Sequence, residues 1–140
     1  MTIRMAVVRA LQFVTVAALL LGPAITLASK VPKPPSDLTG TWTGTYKAGS
    51  DRGTISLLFS QTADTGVFTG AAYDDSGGIL TITGGYTMDG RKLATGNAFV
   101  DDGSGGTGWA VTGKASKTNI DLKLTFKAPG EKAKVTLTLN

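Results

Sequence analysis

The chain contains no cysteine and no histidine. Without cysteine there is no disulfide, no thiolate nucleophile and no cysteine to carry an N-terminal lipid. Without histidine as well, neither a Ser-His-Asp nor a Cys-His arrangement can be assembled, and the ordinary zinc ligand sets are missing. Acid–base chemistry falls to carboxylates, lysines and tyrosines. Carboxylates number only ten, and one of them, Glu131, is a glutamate. The sequence therefore predicts a protein that is not an enzyme, and it implies no cofactor and no metal. Aromatic residues are sparse at 7%, and beyond the N-terminal stretch no long helix-forming run occurs. What is abundant is glycine, 19 residues of 140, interleaved with threonine. That combination points to an all-β protein with many turns.

The length suits one domain after an N-terminal leader. Arg4 and Arg9 form a basic start free of acidic residues, residues 10–21 are apolar apart from Gln12 and Thr15, and Gly22-Pro23 breaks the run. Thr26 and Ala28 place small residues at the two positions that a signal peptidase inspects. The sequence thus predicts a cleavable signal peptide over residues 1–28. The apolar run is shorter than the roughly 20 residues that a membrane span requires, so no stable membrane insertion is expected after cleavage. The mature protein is expected to be secreted or periplasmic. Residues 29–38 read as a Pro-rich linker, because Pro32, Pro34 and Pro35 have no N–H to give to a ladder. The barrel domain proper is expected over residues 39–140.

The full chain carries 14 bases against 10 acids, a net +4. Arg4 and Arg9 leave with the leader. The remaining charges are scattered and of both signs, and Lys114, Lys117, Lys123 and Lys127 read as a solubilising face. There is no basic stripe of the kind that tracks nucleic acid. The oligomeric state is not encoded in any pattern of the sequence.

From Thr39 onward the apolar residues alternate with period two. Eight strands are predicted: 40–46, 54–61, 67–73, 80–88, 92–100, 108–114, 120–126 and 133–139. Within them Trp42 and Tyr46 share a face. So do Ile55, Leu57 and Phe59; Leu80, Ile82 and Tyr86; Trp109 and Val111; and Ile120, Leu122, Leu124 and Phe126. Turn signals such as Asp89-Gly90 and Pro129-Gly130 separate the strands. No gap is long enough for a crossover helix, so neighbours must pair antiparallel. A faint repeat joins residues 69–84 to residues 95–113: each copy is a strand, a Gly-rich acidic turn and a strand ending in Thr-Gly. The expected architecture is an eight-stranded antiparallel up-and-down β-barrel, a meander. Closing the sheet removes both edges, which suits an exported chain with no disulfide.

Two acidic turns, Asp74-Asp75 and Asp101-Asp102, invite a reading as calcium loops. Their spacing matches no D-x-D-x-D-G pattern, and turn chemistry accounts for Asp beside Gly. Adjacent aspartates on a turn are also poor material for a glycosidase pair. The large rings either plug a filled core or line a modest cavity, and an eight-stranded barrel allows both.

Gly40-Thr41-Trp42 at the start of the first strand resembles the G-x-W opening of calycin barrels, the group of lipocalins, avidins and small bacterial metalloprotease inhibitors. The resemblance implies that Trp42 is a structural plug at one end of the barrel. The Arg that lipocalins place near the last strand has no counterpart; the nearby cations are Lys132 and Lys134. Residues 102–111, from Asp102 through Trp109 to Val111, are similar to the avidin and streptavidin segment that leads into a biotin-contacting tryptophan. Thr69-Gly70 followed by Tyr73 is similar to another streptavidin strand, with the tyrosine one residue late, a shift that reverses its face. Gly44 replaces the family's asparagine, Ala48 or Ser50 matches its first-loop serine only loosely, and the later tryptophans are missing. Biotin itself is therefore not the expected ligand.

The functional expectation is a secreted, non-catalytic barrel that binds a small apolar or ring-containing ligand, with Trp109 and Tyr73 or Tyr86 lining its mouth. Two alternatives stand beside it. One is an envelope interaction or structural protein. The other is a protease-inhibitor-like module that offers the arm at residues 29–36 to a protein partner.

Overall fold

The structure, a computed structural model, describes residues 34–140. The expected signal peptide and the first part of the linker lie outside the described residues. Eight strands follow one another: β1 (Gly40–Ala48), β2 (Asp51–Thr62), β3 (Thr65–Asp74), β4 (Ile79–Asp89), β5 (Lys92–Asp101), β6 (Gly106–Ala115), β7 (Asp121–Ala128) and β8 (Glu131–Leu139). Each pairs antiparallel with the next, and β8 pairs with β1 through a register that sets Trp42 opposite Leu139 and Tyr46 opposite Val135. The sheet is thus a closed meander barrel with no free edge.

Strand alternation decides what fills it. Trp42, Leu57, Phe59, Phe68, Leu93, Val111, Leu122, Leu124 and Leu137 are all essentially excluded from solvent. Burial of each is worth roughly 1.5–3 kcal/mol. Phe59 packs on Phe68 at 5.3 Å between ring centroids and meets Tyr86 edge-on at 5.6 Å and Trp42 edge-on at 6.3 Å. Charged residues take the outer face, as at Lys123, Lys127 and Lys134, which alternate with buried or partly buried neighbours.

Glycine makes the wall curve where two backbones approach closely. A Cβ at Gly44 would run into the carbonyl oxygen of Thr136 on β8, and one at Gly53 into the carbonyl oxygen of Tyr73 on β3. Only glycine permits those corners.

Alternate turns lie at alternate ends of the barrel. One end carries the β2–β3, β4–β5 and β6–β7 turns and is closed by residues ahead of β1. Leu38 is fully buried there. Its N–H donates to Gln61 Oε1 at 3.1 Å, and Ser36 N–H donates to the Gly90 carbonyl at 2.9 Å. Gln61 Nε2 donates back to the Ser36 carbonyl at 2.8 Å. The compact unit therefore begins at Pro34. Residues 34–38, expected as linker, belong to the barrel because an apolar side chain and three hydrogen bonds fasten them to its floor.

Two details depart from strict alternation. Ile120 was expected inside at the start of β7; the strand begins one residue later and Ile120 is half-exposed, because Asn119 takes a left-handed conformation (φ 58°) that breaks the extended run. In β5 the pairing shifts between Leu93 and Asn97, a bulge that reverses the phase of everything after it. Leu93 and Ala98 both face in, so Phe99 faces out and is 51% exposed.

Candidate functional site

The second end, ringed by the β1–β2, β3–β4, β5–β6 and β7–β8 turns, is open. It leads into a cavity of about 430 Å³, within the ~300–1,000 Å³ of small-molecule sites. The cavity exists because the inward residues near this end are small: Ala72 on β3, Thr107 on β6 and Ala133 on β8 stand among its lining. The closed half is filled by Trp42, Phe59, Phe68 and Tyr86. Tyr46, Ile55, Ile82, Trp109, Phe126 and Val135 form the walls. Phe126 also meets Phe68 edge-on at 6.4 Å, which joins the cavity floor to the aromatic core.

Two polar atoms in this wall are buried and have no hydrogen-bond partner: the Tyr46 hydroxyl and Trp109 Nε1. Such a group typically costs 1–3 kcal/mol when left unpaired (an order-of-magnitude figure). Tyr46 reaches its position because its ring lies over Gly53, where a Cβ would come within 2.9 Å of Tyr46 Cε1. Burial pushes the Tyr46 phenol up, and the charges of Asp74, Asp51 and Asp75 push it the same way.

The mouth is acidic. Asp51, Asp74, Asp102 and Glu131 all line it. Asp74 Oδ1 accepts from Ser76 N–H and Ser76 Oγ–H, both at 2.8 Å. Asp102 Oδ1 accepts from Ser104 Oγ–H at 2.7 Å and from Ser104 N–H at 2.9 Å. These bonds hold both carboxyls below the usual carboxylate range. Asp101 accepts from Gly103 N–H at 2.7 Å in the same manner. The acidic turns thus use one oxygen each to fix the local backbone. No group of three or more acidic side chains gathers closely enough to hold a metal ion among the described residues.

The ring residues singled out in the sequence fall in three places. Trp109 lines the cavity. Tyr86 faces inward at the opposite, closed end, where its hydroxyl donates to Gln61 Oε1 at 2.9 Å and burial drives its phenol far up. Tyr73, contrary to expectation, stands on the outer face of β3, paired with Thr54 and Ile79 and 50% exposed, because Ala72 occupies the inward phase. Trp42 sits at the closed end with no exposed surface, its Nε1–H donating to the Leu38 carbonyl at 2.7 Å. Sequence reasoning passed over Tyr46 as a wall residue. The signal was there: it lies four residues beyond Trp42, in the same phase, next to a turn of the open end.

No family model matches the chain, and no curated protein matches it. Among solved structures it is similar to a de novo designed fluorescence-activating β barrel, at 11% identity and a TM-score of 0.55, over 73% of this chain and 93% of that one. Identity that low speaks for the fold alone. The protein is an eight-stranded antiparallel closed barrel of meander topology. The likeness is to a small β-barrel in general and does not single out calycins or avidins.

Proposed function

We propose that the mature protein is a secreted, non-catalytic barrel that holds a small, ring-containing and largely apolar molecule in its open-end cavity. The observation that carries this reading is the pair of buried, unpartnered polar atoms, Tyr46 Oη and Trp109 Nε1, on two residues that line a cavity of suitable size. A ligand that supplies an acceptor to Trp109 Nε1 and a partner to Tyr46 Oη relieves both while its rings pack on Phe126 and Ile82. The designed barrel of similar fold is fluorescence-activating, which lends the reading support at the level of architecture.

A panel of neutral two-ring compounds bearing one carbonyl, titrated by calorimetry, tests the proposal. Trp109→Phe keeps the ring and removes the N–H; the affinity of the best binder should fall about three- to tenfold. Tyr73→Ala and Tyr86→Phe should leave it within about twofold, since neither side chain reaches the cavity. Binding that ignores Trp109→Phe and collapses with Tyr73→Ala overturns the site.

A second reading, an envelope interaction protein, draws on one observation. Leu58, Val67 and Phe99 stand half-exposed on the outer faces of β2, β3 and β5. Native mass spectrometry of the purified protein decides between them: a small-molecule adduct favours the first reading, a stable self-assembly without adduct the second.

A further inference from the structure

We propose that the ligand of the open-end cavity is an organic cation, a ring system that carries an ammonium group. The inference rests on the reading of that cavity as a ligand site and adds the chemical class of its occupant.

The charge distribution is the first argument. The four turns of the open end, each with the single strand residue on either side, carry Asp51, Asp74, Asp75, Asp101, Asp102 and Glu131, and no lysine or arginine. Four of those carboxylates line the cavity mouth, and among the described residues no basic side chain lines the cavity. The nearest bases along the strands are Lys47, Arg52, Lys127 and Lys132. All four are exposed and alternate to the outside of the wall. The turn hydrogen bonds of Asp74 and Asp102 engage one oxygen of each carboxyl and stabilise its ionised form, so the second oxygen is left to meet a ligand.

The second argument comes from inside. The Tyr46 hydroxyl, on a side chain only 8% exposed, has no partner. It lies where the charges of Asp74, Asp51 and Asp75 are felt, while Lys47, Arg52 and Lys134 border the outer groove beside it and do not line the cavity. An anionic ligand is repelled from that mouth, and a neutral one leaves its carboxylates uncompensated. A cation is drawn in, and three aromatic residues, Trp109, Tyr46 and Phe126, line the cavity it enters.

The arrangement also selects the kind of cation. The carboxylates come from four separate turns and do not converge into a set of three. A small, strongly hydrated metal ion needs convergent oxygens to replace its water. A large, weakly hydrated ammonium on an apolar ring needs only a diffuse negative rim and an aromatic wall.

The test uses three matched probes: a naphthyl trimethylammonium, its uncharged tert-butyl isostere and the corresponding naphthyl carboxylate, each titrated by calorimetry into the mature protein. The cation should bind about tenfold or more tighter than the isostere, and the ratio should shrink as salt rises from about 10 mM to 1 M. The carboxylate should bind weakest. In the triple variant Asp51→Asn/Asp102→Asn/Glu131→Gln, which keeps Asp74 and the ring wall, the cation's advantage over the isostere should shrink severalfold, with the isostere unchanged. All three side chains are exposed, so the fold is preserved, and a circular dichroism spectrum checks it. Equal affinity for cation and isostere in the natural protein overturns the cation inference and leaves the ring site standing. A preference that survives the triple variant undiminished overturns the role of the rim. Failure of all three probes to bind overturns the ring site itself, and the cation inference with it.

Discussion

Tyr86 shows how much one side chain does at the closed end. Its ring packs against Phe59 and Phe68, and its hydroxyl donates to Gln61, whose amide in turn ties down Leu38 and Ser36. Burial first, and the charge of Asp37 second, raise its phenol above the ordinary value of 10.0. The folded chain therefore keeps this proton to higher pH than the unfolded chain does. The stability it contributes is fully present below about pH 10 and is lost as pH rises beyond it. Tyr86→Phe should cost about 1 kcal/mol at neutral pH and should flatten the fall in urea midpoint between about pH 10 and 11. An unchanged alkaline slope in the variant would contradict this account. Tyr46, raised by burial in the same direction, adds to the slope with the same sign. At this scale the sequence was partly legible. Period two put Trp109 and Tyr86 on inward faces, whereas Tyr73, expected at the mouth, stands outside because Ala72 holds the inward phase of β3. Period two could not tell which end of the barrel a residue occupies. It also could not foresee that a bulge in β5 turns Phe99 outward, since a bulge is a pairing event between strands.

At the scale of elements, the eight strands and their order follow from alternation and turn residues, and their bounds differ from expectation by a few residues at the ends. The β3–β4 and β5–β6 turns of the open end are held by hydrogen bonds that Ser76 and Ser104 donate to Asp74 and Asp102, which explains why Asp and Ser accompany Gly there. The glycines inside strands carry a separate meaning that composition alone does not reveal. Gly44 is required by the approach of β8, whereas Gly108 has open space around it. Gly44→Ala should therefore cost more than about 2 kcal/mol, because a backbone carbonyl must move. Gly108→Ala should stay within about 0.5 kcal/mol. Urea denaturation of the two variants decides the point; similar losses in both would mean that the corner is not where the structure puts it.

For the whole molecule, closure replaces the covalent staples that this chain lacks. With β8 paired to β1, no edge is left to aggregate and every strand has two neighbours. The meander was legible because no gap holds a crossover. The cavity was not, because it depends on how small inward residues such as Ala72 and Ala133 sum across strands far apart in sequence. The same sum leaves one end filled and the other hollow. The two tryptophans report on the two ends separately: Trp42 Nε1–H is bound to Leu38 at the filled end, and Trp109 Nε1–H is unpartnered at the hollow one. The most direct test of the account is a two-dimensional proton–nitrogen spectrum of the mature protein, recorded as a ring-bearing probe with one acceptor group is added. The Trp109 indole signal should move and saturate while the Trp42 signal stays in place. A spectrum in which neither indole signal moves at any probe concentration, or in which Trp42 moves and Trp109 does not, would contradict the open-end site.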